Sequence, residues 1–202
     1  MDKVEGTILI VDDNPNNLKV VAGVLKGAGF DFRMAKSGQS ALNILEKTKP
    51  DLILLDIQMP EMDGFETCKI IKQDEVNSKI PIIYLTANTD SESIRKAFKS
   101  GGVDFVTKPF KSEELLARIK THIKLKKQTE ELIKQNATKD KFFSIISHDL
   151  INPLGSVIGF SELLKESFKG ENYKDLDPVK IEAYVGIINK SANFTLEFPE
   201  VS

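Results

Sequence analysis

The first half of the chain predicts an α/β fold, a doubly wound five-stranded parallel sheet, and the second half predicts an all-α helical hairpin. Two observations indicate the sheet. Short apolar runs alternate with amphipathic helical segments at the spacing of βαβ units, and most of the runs end in a charged or hydroxyl side chain. The hairpin is indicated by a change after residue 111 to the three- and four-residue spacing of long helices.

Caps and breakers define the first two strand–helix pairs. The β-branched run 7–11 predicts a buried strand, and the asparagine–proline pair at 14–15 predicts a helix cap with proline at the first helical position. Gly27 and Gly29 end that helix. Residues 30–35 predict the second strand, and Ser37 caps a second helix.

The later strands are read from uninterrupted apolar runs. Residues 52–56 lie between two prolines and predict a short strand that is buried on both faces. Further strands are expected over 80–86 and 103–107. In the helix between these last two strands, Ile94, Ala97 and Phe98 are expected to face inward. Strands that alternate with helices in this way imply right-handed crossovers and a sheet covered on both faces.

Polar side chains stand at the carboxyl ends of four predicted strands, namely Asp12 and Asp13, Asp56, Thr86 and Lys108. Parallel strands bring their carboxyl ends to one edge of the sheet, so these groups are expected to converge. Three carboxylates need counter-charge, which Lys108 and a hard divalent cation such as Mg²⁺ would supply. Asp56 would then be a nucleophile toward phosphorus, with the Thr86 hydroxyl on a phosphoryl oxygen. Taken singly, each residue also fits an ordinary role at a helix start or strand end.

Short motifs surround these strand ends: the acidic pair at 12–13, Leu55 to Pro60 followed by Met62-Asp63-Gly64, Leu85-Thr86-Ala87, and Lys108-Pro109-Phe110. Together they resemble the receiver domain of two-component response regulators, a flavodoxin-like fold, over residues 7–124. The resemblance implies that Asp56 accepts a phosphoryl group. It also implies that Asp12 and Asp13 hold Mg²⁺ together with Asp56 and the backbone carbonyl of Gln58.

The same resemblance implies that Thr86 and Lys108 read the phosphorylated state, that Phe105 is the switch aromatic, and that the Lys108–Pro109 bond is cis. A strand-end aspartate with Mg²⁺ also fits another class of enzyme. Haloacid-dehalogenase-like phosphatases also use a strand-end aspartate with Mg²⁺, but they place an acidic residue two positions later. That position is Gln58 here, which cannot transfer a proton and so favours a site that retains its phosphoryl group.

A long helix is expected to begin at Ser112, since no proline or glycine then appears before Pro153. Its a and d positions form an imperfect heptad seam, which is polar in its middle third and strongly apolar from Phe143 onward: Leu115, Arg118, His122, Leu125, Thr129, Leu132, Asn136, Lys139, Phe143, Ile146, Leu150, Pro153, Val157, Phe160 and Leu164. Residues 124–141 predict a helical linker, with a solvated single helix as the alternative. The apolar end of the seam needs a partner, so we expect a homodimer.

The seam places His148 at an outward position beside Asp149, and Pro153 is expected to bend the helix just after it. A histidine on the surface of a protein usually has no chemical role, if position is the only indication. The run from Lys141 to Leu154, KFFSIISHDLINPL, however, resembles the H-box of the histidine kinase dimerisation and phosphoacceptor domain. The resemblance implies that His148 is phosphorylated, that Asp149 orients and deprotonates its ring, and that Asn152 positions a water for dephosphorylation.

Another helix is expected from Asp177-Pro178, and it would pair antiparallel with residues 142–166. Two such hairpins from two chains would form a dimeric four-helix bundle. The chain resembles the sensor kinase family of the phosphorelay, but it offers neither the asparagine and glycine-rich boxes of that family's ATP-binding domain nor a Walker-type loop. We therefore expect that it does not phosphorylate itself from ATP.

The predicted organisation is a receiver domain over 1–123, a linker over 124–141 and an incomplete phosphoacceptor hairpin over 142–202. The predicted function is Mg²⁺-dependent phosphoryl transfer in a two-component phosphorelay, as a fragment of a hybrid histidine kinase or as a short relay protein. The expected partners are a histidine kinase catalytic domain or other relay proteins. The alternative is a non-catalytic docking and dimerisation module gated by phosphorylation.

The composition agrees with a globular protein of this kind. Among 202 residues 41% are apolar and 29% are charged, and the net charge of -2 gives no reason to expect nucleic acid as a partner. A single cysteine, Cys68, suits a reducing compartment. No apolar run approaches the ~20 residues that span a bilayer. We therefore expect a cytoplasmic protein without membrane insertion.

Overall fold

A computed structural model describes residues 6–87, 90–168 and 177–196, except the side chains of residues 145, 149, 195 and 196. The chain divides into two compact units, Met1–Glu131 and Leu132–Ser202. The elements in chain order are β1 Thr7–Val11, α1 Pro15–Gly27, β2 Asp31–Ala35, α2 Gly38–Leu45, β3 Leu52–Asp56, α3 Gly64–Gln73, β4 Ile82–Thr86, α4 Ser91–Lys99, β5 Asp104–Thr107, α5 Ser112–Ser167 and α6 Pro178–Leu196.

The first unit contains a five-stranded sheet with the order β2-β1-β3-β4-β5, in which every neighbouring pair is parallel. The predicted fold is therefore confirmed. Strand β3 lies in the centre and is buried along its whole length. Because successive side chains alternate between the faces of a strand, Leu52 and Leu54 pack with α1 and α5 while Ile53 and Leu55 pack with α2 and α3. Helices thus cover both faces, as a parallel sheet requires.

The predicted helix starts are present. Asn14 caps α1 by accepting a hydrogen bond from the Asn16 N–H at 2.9 Å, and Pro15 is the first helical residue. Ser37 caps α2 through its side chain, which accepts from the backbone of Ser40. These caps matter for the site, since the start of α1 directly follows the acidic residues at the end of β1.

The inward orientation predicted for Phe98 is wrong. Ala97 is buried, but the Phe98 side chain is 49% exposed and packs edge-on against the half-buried Phe105 ring with 6.3 Å between centroids. Successive helical residues point about 100° apart, and Phe98 therefore points in a different direction from Ala97. The small Ala97 occupies the contact, and the large ring of Phe98 is left beside it.

In the first unit, helix α5 buries Leu115 of the predicted seam, but the other two residues that it buries, Ile119 and Ile123, lie outside that seam. Leu115, Ile119 and Ile123 are 0%, 0% and 6% exposed, whereas the Arg118 side chain is 38% exposed. The buried residues are four apart, which keeps them on the face of the helix that packs on the sheet. Residues 124–141 are helical, as predicted.

The second unit contains the rest of α5 and the helix α6. Asp177 caps α6 by accepting from the Val179 N–H at 3.0 Å, which agrees with the predicted start. The rings of Phe160 and Tyr184 lie 5.5 Å apart and bring the two helices into contact. Helix α5 continues through Pro153.

Candidate functional site

The polar strand ends of the first unit meet at one edge of the sheet. Strands β1 and β3 are neighbours, with Val11 opposite Leu55, so the residues that follow them are side by side. Asp12 follows β1 and Asp56 ends β3. The chain leaves β1 through α1 on one face of the sheet and leaves β3 through α3 on the other face. Open parallel sheets form their binding crevices at such a position.

Three carboxylates cluster at this crevice. One oxygen from each of Asp12, Asp13 and Asp56 lies within 4.8 Å of the others. Asp12 and Asp56 are 1% and 6% exposed, while Asp13 is exposed. A set of hard carboxylate oxygens, open to solvent on one side, fits Mg²⁺, which keeps several waters and needs few protein ligands.

Lys108 completes what we call the acidic site, which consists of Asp12, Asp13, Asp56 and Lys108. Its Nζ lies 2.7 Å from Asp12 Oδ2 and 2.9 Å from Asp56 Oδ1. Burial alone would lower the pKa of the Lys108 ammonium, but its hydrogen bonds to the two carboxylates raise it above the ordinary value. The ammonium therefore stays charged and offsets part of the repulsion between the acids.

Opposing effects act on the pKa of the Asp56 carboxyl group. Burial raises the pKa of Asp56, the hydrogen bond and charge of Lys108 lower it, and the nearby Asp12 charge raises it again, so that the pKa ends above its ordinary value. A second positive charge beside Asp56 would favour the ionised form further. The electrostatics of the acidic site are thus suited to binding a cation.

The loop from β3 to α3 folds back against the end of β3. Gly64 donates its N–H to the Ile57 carbonyl at 2.9 Å, and a Cβ on Gly64 would lie 2.2 Å from the Asp56 carbonyl oxygen. Glu61 adopts a left-handed conformation with φ 66°. Gln58 lies in this loop with its side chain exposed. The close return of the chain keeps the loop, and with it the Gln58 backbone, next to Asp56.

Thr86 and Lys108 are joined through the backbone. Thr86 is the last residue of β4 and is 5% exposed, and its carbonyl accepts the Lys108 N–H at 2.7 Å. The Lys108–Pro109 peptide bond is cis, as the family resemblance implied. Phe105, on β5, is half-buried.

Sequence reasoning missed Asn17. This partly buried side chain donates from Nδ2 to both oxygens of Asp12, at 3.0 Å each. The available signal was its position: Asn17 is the third helical residue of α1, where side chains reach back over the helix start. The sequence does not indicate that it would reach past the cap to the acid.

The predicted phosphoacceptor lies in the second unit. His148 and Asn152 are one helical turn apart on α5 and both side chains are exposed, whereas the Asp149 side chain lies outside the described part of the chain. Among the described side chains of 132–168 and 177–196, none is buried. Large apolar residues are among the exposed ones, including Phe143 at 54% and Ile151 at 62%.

Fold and site together define a signalling protein of the two-component class. The family model for the response regulator receiver domain matches residues 8–120, more than half of the chain, and the model for the His Kinase A phospho-acceptor domain matches residues 138–193. The chain belongs to the response regulator receiver domain family and carries a His Kinase A phospho-acceptor domain after it. Its signalling class is therefore two-component phosphorelay signal transduction.

Known relatives share the receiver part. The DNA-binding response regulator MtrA of Mycolicibacterium smegmatis is 39% identical over 124 residues, which are 61% of this chain and 53% of that protein. The chain thus spans about half the length of the curated relatives it matches first.

Solved receiver domains match the same part of the chain. The signal receiver domain of a signal transduction histidine kinase from Syntrophus aciditrophicus matches with a TM-score of 0.56 and 34% identity, over 59% of this chain and 90% of that one. The receiver domain of sensor histidine kinase PA1611 from Pseudomonas aeruginosa, solved with magnesium in its active site cleft, matches with a TM-score of 0.56 and 32% identity, over 58% of this chain and 97% of that one.

Within the described residues, no helix has both the length and the apolar character needed to cross a membrane.

Proposed function

We propose that this protein carries phosphoryl groups on two side chains, Asp56 in the receiver unit and His148 in the helical unit, as part of a phosphorelay. The observation that carries the proposal is the acidic site. It combines a nearly buried carboxylate at a strand end, two further carboxylates within 4.8 Å and an ammonium 2.9 Å from Asp56. Carboxylate nucleophile, cation ligands and fixed positive charge are the parts that phosphoryl transfer to an aspartate needs.

In the proposed step, an Asp56 carboxylate oxygen forms a bond to phosphorus while the bond from phosphorus to the donor breaks. The electron pair of the broken bond leaves with the donor, and a donor imidazole takes up a proton. Mg²⁺, held by Asp12, Asp13, Asp56 and the Gln58 backbone carbonyl, would neutralise charge on the transferred group. Lys108 lies where it can stabilise the same charge, and the Thr86 hydroxyl can donate to a phosphoryl oxygen.

The helical unit supports a second carrier. His148 is exposed on α5, so a kinase catalytic domain or another relay protein can reach its ring. Asn152 is exposed one turn further on and can position a water, while Asp149 is proposed to orient the ring. The proposed partners are a histidine kinase catalytic domain or other relay proteins.

A second copy of the chain is the proposed partner of the helical unit. The two helices are in contact through Phe160 and Tyr184, yet every described side chain of this unit is at least partly exposed. The described part of the pair therefore contains no buried core. Pairing two hairpins into a four-helix bundle would cover these apolar faces. We propose a receiver over 1–123, a linker over 124–141 and a phosphoacceptor hairpin over 142–202, in the manner of a hybrid histidine kinase.

The test of Asp56 uses a small phosphodonor such as acetyl phosphate with Mg²⁺. Wild type should gain one phosphoryl group on the receiver, measured by intact mass, and Asp56→Asn should gain none. Asp31→Asn is the matched control, since Asp31 is an exposed aspartate at the start of β2. Undiminished labelling of the receiver in Asp56→Asn refutes the assignment.

The test of His148 uses a histidine kinase catalytic domain with ATP. The chain has two histidines, so His122→Gln serves as the control for His148→Gln. The relay predicts phosphohistidine in wild type and in His122→Gln but not in His148→Gln. A folded dimer that is never labelled would favour the alternative, a docking module without phosphotransfer from histidine.

A further inference from the structure

We propose that Asn17 is a positioning residue, which holds the Asp12 carboxylate in the orientation that the magnesium site requires. The inference rests on the proposed function. Asn17 Nδ2 lies 3.0 Å from Asp12 Oδ1 and 3.0 Å from Asp12 Oδ2. The amide nitrogen therefore bridges both oxygens of the carboxylate and limits how far the group can move.

Three groups hold Asp12 from different directions. Oδ1 accepts the Asn14 N–H at 2.9 Å, Oδ2 accepts from Lys108 Nζ at 2.7 Å, and Asn17 donates to both oxygens. The side chain is 1% exposed, so solvent contributes little to its orientation. Of these three, Lys108 also contacts Asp56 and the Asn14 N–H belongs to the helix cap. Asn17 is thus the side chain whose described hydrogen bonds go to Asp12 alone.

The position of Asn17 follows from the local sequence. Asn14 caps α1, Pro15 starts it, and the third helical residue lies where its side chain can reach back toward the chain before the cap. At this position, the side chain of a glutamate or glutamine commonly accepts a hydrogen bond from the backbone N–H of the capping residue. Asn17 instead supplies N–H donors to a carboxylate two residues before the cap, which a carboxylate side chain could not do.

Fixing this carboxylate matters for magnesium more than for most cations. Mg²⁺ demands near-octahedral geometry, so a carboxylate that changes its orientation weakens Mg²⁺ binding. Hydrogen bonds that orient metal ligands typically change metal affinity by 10- to 100-fold. Asp13, by contrast, is exposed at the rim of the acidic site, so the buried Asp12 is the acid whose orientation the protein itself determines.

The experiment compares Mg²⁺ binding by calorimetry for the full chain, with no phosphodonor present. Asn17→Leu keeps a similar side-chain volume without donors, and Asn17→Ala removes the amide; both residues favour helix more than asparagine, so α1 should be retained. Asn16→Ala is the matched control, because Asn16 is the exposed neighbour on the same turn. Both Asn17 variants should bind Mg²⁺ about 10-fold more weakly than wild type, and Asn16→Ala should bind as wild type does.

Thermal unfolding without Mg²⁺ separates positioning from a purely structural role. Wild-type Mg²⁺ affinity in both Asn17 variants, with a lowered Tm, would overturn the inference and leave the proposed function intact. If wild type itself binds no Mg²⁺, the proposed function fails and the inference fails with it. A selective loss of Mg²⁺ affinity at position 17 supports both.

Discussion

Replacing Lys108 with methionine is expected to destabilise the metal-free receiver unit. Lys108 Nζ lies 2.7 Å from Asp12 Oδ2 and 2.9 Å from Asp56 Oδ1. The Lys108, Asp12 and Asp56 side chains are 19%, 1% and 9% exposed, so solvent screens this contact weakly. Methionine keeps much of the apolar stem and removes the ammonium. The variant leaves two nearly buried carboxylates facing each other without the positive charge between them.

The magnitude follows from the burial of the group. Removing one partner of a buried ion pair typically costs about 3–5 kcal/mol. Asp56 can take up a proton in the variant, since burial already raises its pKa, and this relieves part of the repulsion. We therefore expect a loss of about 3 kcal/mol, the lower end of that range, from the free energy of unfolding. For a domain of this size, the corresponding fall in Tm is roughly 10 °C.

The assay is native-state hydrogen exchange of the β3 amides, which lie in the central strand and report the opening of the whole unit. It is run with a chelator and again with saturating Mg²⁺. Both proteins are compared at the same Mg²⁺ concentration, where the gain in stability is larger for the protein with the lower Kd; binding at 100 times Kd adds about 2.7 kcal/mol to the folded state. Because the cation replaces the missing charge in the variant, Mg²⁺ should stabilise Lys108→Met more than wild type. The difference in the free energy of unfolding between the two proteins should therefore become smaller.

Lys111→Met is the control, since Lys111 is an exposed lysine just before α5 and the chemical change is the same. Its stability should stay within about 0.5 kcal/mol of wild type. If Lys108→Met is as stable as wild type in chelator, the ammonium does not offset the repulsion between Asp12 and Asp56. If Mg²⁺ leaves the difference in free energy of unfolding between Lys108→Met and wild type unchanged, the cation does not replace the charge of the Lys108 ammonium.

Three further outcomes are expected for the receiver unit. Gly64→Ala should lower the free energy of unfolding by more than about 3 kcal/mol, because its Cβ would lie 2.2 Å from a backbone oxygen. Gly23→Ala, whose Cβ would have nothing within 4 Å, should raise the free energy of unfolding by about 1 kcal/mol, and urea titration measures both variants. Glu61→Gly should raise it by up to about 1 kcal/mol in the same assay, since φ is 66°. Carbon NMR in chelator should find the Asp56 pKa above its ordinary value, so that the ionised carboxylate is lost as pH falls through that pKa. Asp12→Asn should lower the pKa of Asp56, and an unchanged value contradicts the charge coupling between the two acids.

Much of the first unit could be predicted because its signals are local. Apolar runs of strand length, caps such as Asn14 and Ser37, and the glycines after α1 each act through neighbouring residues. Parallel order then follows from the alternation of strands and helices. With the order known, acids at the ends of β1 and β3 must share an edge of the sheet, which is where the structure has them.

Features that depend on packing were not predictable in this way. Phe98 was expected to face inward because it is large and apolar, but Ala97 takes that contact. The stripe that α5 presents to the sheet, through Ile119 and Ile123, differs from the heptad seam read along the helix. Both depend on which of several apolar faces meets a neighbour, and a periodic pattern does not distinguish between them.

The amino-acid sequence alone was enough to predict the alternation of strands and helices, the strand ends that carry acids, and the two resemblances that place the chain in two-component signalling. The sequence led us to expect Lys108 near these acids, but the fold was needed to show that its ammonium pairs with both Asp12 and Asp56 and that Asn17 bridges both oxygens of Asp12. Separation along the chain explains this difference. Secondary structure arises from contacts within a few residues, whereas a buried charge is balanced by whichever donors folding brings within about 3 Å, and Lys108 stands 96 residues from Asp12.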